Sequence, residues 1–170
     1  MCGPDTSNKP RYGALAVVSP PSSVPSSPLA MPLSGSLSLY STAGDAGLLA
    51  TQATFTGLPG CDLGLATQKY FVVIHTTGDL RVPSSKCQMF RRFDFDSGSV
   101  AGDGLSMATA LAEPLQLEVG GEGVIGRRIS IFAGGEERKI DNDDGSEEHE
   151  GGLTLVAEGI IGINQILSRI

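Results

Sequence analysis

Two histidines, three cysteines and a run of carboxylates are the side chains of this 170-residue chain from which site chemistry could be built. The cysteines, Cys2, Cys61 and Cys87, form an odd and sparse set, with no CxxC pair and no alternating Cys/His ladder that would hold zinc. Free thiols in a reducing compartment are the simple reading, and a Cys61–Cys87 bridge is the alternative. Between Glu136 and Glu150 the carboxylates outweigh Arg138 and Lys139, and DNDDGSEEHE has the composition of a hard-cation loop. The register fails: with Gly145 at the sharp-turn position of an EF-hand, Ile140 stands first and Gly151 last, where Asp and Glu are required. A solvated acidic loop over residues 134–152 is expected instead, with His149 inside it. That leaves His75. In KYFVVIHTTGDL, Lys69 to Leu80, alternation puts Phe71, Val73 and His75 on one strand face that runs into a Gly-Asp turn. One imidazole is far short of the three or four ligands of a metal centre, so His75 is expected to be a partly buried polar group hydrogen-bonded to a backbone carbonyl or a carboxylate.

The elements that would position these side chains are strands. With 40% hydrophobic and 18% charged residues the composition is globular, and 23 Gly with 10 Pro imply many turns. The length suits one domain, 1–170. Eight strand-like stretches recur with turn signals between them: Tyr12 to Val18, Ser34 to Ser41, Leu48 to Thr56, Lys69 to His75, Gly104 to Ala110, Pro114 to Val119, Arg127 to Phe132 and Leu153 to Ile163. An all-β sandwich or barrel is expected. SPPSSVPSSP, residues 19–28, reads as a Pro/Ser-rich loop insertion. Asp79 to Asp103 reads as a second long loop.

A net charge of −7 and a pI near 4.7 leave no basic stripe to neutralise phosphates, so nucleic acid is not an expected partner. No window approaches the apolar run of a membrane span, and the amino end lacks a basic segment followed by an apolar one. Position 2 is Cys2, so the N-myristoylation pattern is missing too. A cytoplasmic protein without membrane partners is expected.

Three motifs in order then carry a resemblance: KYFVVIHTTGDL, VIGRRISIF (Val124 to Phe132) and VAEGIIGI (Val156 to Ile163). Together they resemble the copper-zinc superoxide dismutases, whose matching segments read HVHEFGD, IIGR followed by a strand ending in His, and LACGVIGI. SGSLSLYS and ATFTGL resemble that family's earlier strands. The resemblance covers most of the chain beyond Leu33 and implies an eight-stranded Greek-key β-sandwich or barrel of that type.

Carried over by position, the family's metal ligands are mostly replaced. The first copper histidine falls on Val73 and the second on His75. The bridging histidine falls on Phe93, or on Phe90 if the loop is gapped differently, and another copper histidine falls on Phe132. A zinc histidine becomes Val100, and the zinc aspartate persists as Asp103. The anion-guiding arginine falls on Leu155, and the family's disulfide positions fall on Cys87 and Glu158. The resemblance therefore implies no catalytic residue, no cofactor and no metal, with hydrocarbon where imidazoles stood. GIIGI, Gly159, Ile160, Ile161, Gly162 and Ile163, matches a dimer-contact segment of the family. It implies a homodimer, or a heterodimer with a true dismutase or its copper chaperone, or else only a core strand. The pattern also resembles that of the poxviral dismutase-like proteins, which would make this chain a virion component or a decoy in host cytoplasm; an insect or other eukaryotic pseudo-enzyme is the competing origin. The competing implication is residual weak copper or zinc binding through His75, Asp103 and Cys87.

Overall fold

The structure is a computed structural model and describes residues 13–22, 32–42, 48–57, 69–95, 99–101, 104–134 and 153–164, with side chains at 99–101 excepted. The acidic run, most of the Pro/Ser-rich stretch, Cys2, Cys61, Asp103 and His149 lie outside the described residues.

The described chain is all-β. Ten strands form one mixed sheet: β1 (Ala14–Ser19), β2 (Gly35–Tyr40), β3 (Leu49–Gly57), β4 (Lys69–His75), β5 (Met89–Phe95), β6 (Ser99–Ala101), β7 (Gly104–Val119), β8 (Gly123–Ile125), β9 (Arg128–Gly134) and β10 (Thr154–Ile163). The spatial order is β5-β4-β9-β10-β1-β2-β3-β7-β6, with β8 pairing β7 in parallel and every other described pair antiparallel. Period-two patterning drives this assembly. In β2, Leu37 and Leu39 are buried while Ser36 and Ser38 face out; in β4, Tyr70, Val72 and Ile74 are buried on the face opposite Phe71 and Val73. These inward rows meet Val18, Phe55, Met107, Ile129, Ile131 and Ile161 in one core. Each large side chain fully buried there contributes about 1.5–3 kcal/mol of transfer free energy.

Three differences from the expected eight strands have local causes. The stretch from Asp79 to Asp103 is not simply a loop, because it holds a 3-10 turn at Ser84–Lys86 and the strands β5 and β6. Phe95 of β5 is buried and meets Phe93 edge to face at 5.8 Å, which fastens the strand to the core. Residues 104–119 form one strand rather than two. The β3 register jumps there from Gln52↔Ala110 to Ala50↔Leu115, so Leu111 to Pro114 bulge out and Pro114 costs no ladder bond to β3. β8 is a three-residue strand set by the turn at Gly120 and Gly121, both with positive φ.

β5, at one end of the sheet, and β7, next to the other end, approach each other without pairing. A groove of about 560 Å³ runs along this seam between Phe93 and Leu111, and Arg91 reaches over it to Glu122 at 3.1 Å.

Candidate functional site: a sealed histidine beside a buried guanidinium

The outward face of β4 is the place to which the sequence assigned chemistry. Register puts Phe132 beside Phe71 and Ser130 beside Val73, with His75 next along the same face. Arg92 of β5 lies opposite Val73 and stacks its guanidinium over the Phe71 ring at 4.5 Å. Val73 and Phe132 are half-buried there, and Leu155 pairs with Phe132 on the β10 side.

The other assigned positions do not converge on this face. Phe93 pairs with Val72, so it turns to the opposite, core-facing side of the sheet. Phe90 packs against the core while Arg91 and Arg127 stack on it at 4.5 and 4.0 Å. Val100 belongs to β6, opposite Leu105, at the far end of the sheet from β5. Of the positions that the resemblance assigns to lost imidazoles, only Val73 and Phe132 share the face of His75; Phe93 does not fill the same space.

His75 is 2% exposed, and its Nε2 lies 3.0 Å from the Ser130 hydroxyl. Its Nδ1 is buried and has no hydrogen-bond partner. Burial pushes its pKa below the ordinary 6.5; the Cys87 backbone opposes this, the Arg128 guanidinium lowers the pKa further, and the Glu158 carboxylate raises it. A His–Ser pair has the makings of a base and a nucleophile, but Ser130 is fully buried and no substrate can reach its oxygen.

Arg128 is the residue that organises this region. It is 2% exposed and forms an ion pair with Glu158 of β10. It also donates to the carbonyl oxygens of Asp79, at 3.3 Å, and Val82, and lies 3.8 Å from the Cys87 sulfur. One guanidinium therefore ties the segment between β4 and β5 to β9 and β10, and it spans Cys87 and Glu158, the two positions that the resemblance pairs as a disulfide. Arg127, its neighbour, donates to the carbonyl oxygens of Thr76 and Gly123 at 2.6 Å each, which pins the start of the same segment.

No protein-family model and no curated protein matches this chain. Among the described residues, no three His, Cys, Asp or Glu side chains converge to hold a metal ion.

The segment GIIGI is split by the pleat. Gly159 and Ile161 point inward, whereas Ile160 is half-buried on the outer face and Gly162 and Ile163 are exposed. Arg128 carried no signal as an interior group beyond its alternation with Ser130 and Phe132, which sets it on the His75 face of β9.

The His75 environment predicts a pH dependence. The unfolded chain takes up a proton that the buried ring resists, so stability is complete above about pH 6.5 and falls as pH drops through the window between that value and the lowered folded pKa. Urea midpoints between pH 8 and pH 5 should fall more steeply for the native chain than for His75→Gln. Parallel profiles would contradict it.

Proposed function

We propose that the chain is a non-enzymatic β-barrel of the copper-zinc superoxide dismutase type that acts through protein contacts. The wiring supports the fold: β1, β2 and β3 are consecutive antiparallel neighbours, whereas β4, next in the chain, is separated from β3 in the sheet by β2, β1, β10 and β9, the kind of long crossover that a Greek-key arrangement requires.

One observation carries the functional reading. The surviving imidazole is closed into a desolvated network with Ser130 while a buried guanidinium sits in the same cluster. A guanidinium cannot be deprotonated in a protein and has no lone pair to give a metal, and Glu158, the carboxylate nearest this cluster, is already held in its ion pair. Val73 and Phe132 offer no lone pairs on that face, and redox-active copper needs imidazole or sulfur donors at several corners. The residues present do not fit copper or zinc, and no electron-transfer step follows from them.

Contact with partners is supported by the apolar groups left outside the core, among them Val17, 72% exposed, and Ile163, 56% exposed. A homodimer or a complex with a dismutase or its chaperone fits this reading, and pull-down with a purified dismutase separates the two.

The unpartnered Nδ1 of His75 favours a second reading, weak binding of a soft ion between it and Cys87. Elemental analysis after purification without chelator, together with a superoxide-consumption assay, distinguishes them. The proposal predicts less than a tenth of an equivalent of copper or zinc and no activity above background. Stoichiometric metal with dismutase activity would overturn it.

A further inference from the structure

Cys87 stands where the segment between β4 and β5 meets the buried guanidinium of Arg128. It is half-buried and unbridged, and its chain neighbours Lys86 and Gln88 are exposed. Small solutes therefore reach one side of the sulfur, while Arg128, 2% exposed, directs Nη1 at it from 3.8 Å. Two polar atoms of the same cluster are idle. Nε of Arg128 and Nδ1 of His75 are buried without a partner, and the Cys87 peptide adjoins the His75 ring. Buried donors and acceptors left so are uncommon, and one further oxygen among them would give the guanidinium a better acceptor than sulfur.

The spacing suits an oxygen carried by the sulfur itself. At 3.8 Å the thiol is a weak acceptor, but an oxygen bonded to it and turned toward Nη1 comes to about 2.8 Å, the length of a charge-assisted hydrogen bond.

We propose that Cys87 is a site of oxidation by peroxides, held at the sulfenic acid stage by Arg128. The thiol sulfur attacks one peroxide oxygen, so that an S–O bond forms as the O–O bond breaks. Sulfur gives up two electrons, and the second oxygen departs with the thiol proton, as water when the oxidant is hydrogen peroxide. A sulfenic acid is ordinarily consumed by a second thiol. Cys87 is the one cysteine among the described residues, and the position that the resemblance pairs with it is Glu158, which offers no sulfur. Further oxidation is opposed as well, because an ionised sulfinic acid would compete with the Glu158 carboxylate for a single guanidinium. This chemistry needs no partner chain, so it stands apart from the protein-contact reading above.

Stoichiometric hydrogen peroxide followed by dimedone, with peptide mass mapping of the full chain, tests it. The native protein should carry the dimedone adduct on Cys87 even when dimedone is withheld until the peroxide is consumed. Arg128→Met with Glu158→Leu removes the donor and leaves an apolar pair of similar volume. Loss of a hydrogen bond to a charged group should shorten the life of the sulfenic acid there at least about tenfold. Any of four results would overturn the proposal: no adduct at Cys87, a Cys61–Cys87 disulfide in its place, direct passage to the sulfinic acid, or equal lifetimes in the two proteins.

Discussion

Replacing Arg128 with Met should lower the stability of this chain by about 3–5 kcal/mol, a large share of the 5–15 kcal/mol that holds a typical domain folded. The reason is the company that the guanidinium keeps. It is buried, its charge is matched by Glu158, and it covers the carbonyl oxygens of Asp79 and Val82. Truncation leaves a carboxylate in a largely dry site together with two carbonyls that have lost a donor. Arg128→Met with Glu158→Leu should recover most of the loss, because an apolar pair of similar volume asks for no partners. The single variant should also release the segment between β4 and β5, so that trypsin cleaves sooner after the exposed Arg81 and Lys86. Urea denaturation and timed proteolysis measure the two effects. A loss below about 1 kcal/mol would mean that the pair behaves as a surface salt bridge.

The second large effect is expected at Gly159. A β-carbon there would stand 2.2 Å from the Val17 carbonyl oxygen and 3.1 Å from a Val18 methyl, so β1 itself must move to admit one. Gly159→Val should cost about 3 kcal/mol, at the upper end of overpacking penalties, because the obstacle is backbone and not the tip of a flexible side chain. Gly159 is buried against Val17 and Val18 within its own molecule, so the substitution should depress the urea midpoint. A midpoint within about 1 kcal/mol of the native chain's would contradict this packing.

What was legible in the sequence followed the strength of period-two patterning. Lys69–His75 alternates cleanly and forms β4 with those bounds, and β1, β2, β3, β9 and β10 lie within about two residues of their expected ends. MFRRFDF hid β5 because Arg91, Arg92 and Asp94 break the hydrophobic pattern, while one hydrogen-bonded neighbour is enough for a strand at the sheet end. Pro114 suggested a break that a local bulge absorbs. The chemistry was less legible than the fold. His75 could be assigned to one strand face with Phe71 and Val73, but its closure depends on Ser130 from β9, Arg128 from the start of that strand and Glu158 from β10. Sequence spacing does not report such convergence. Phe93 shows the cost: the resemblance placed it beside His75, and strand pleat sends it to the other side of the sheet.

The most direct test of the central claim watches the His75 ring itself. Nitrogen-15 spectra of the side chain, recorded as one equivalent of zinc and then of copper(I) is added, report whether either ring nitrogen accepts a metal. A neutral ring buried with Ser130 and crowded by the Arg128 charge should keep its two resonances unchanged through both titrations. A shift of Nδ1 or Nε2 into the metal-bound range at one equivalent would contradict it.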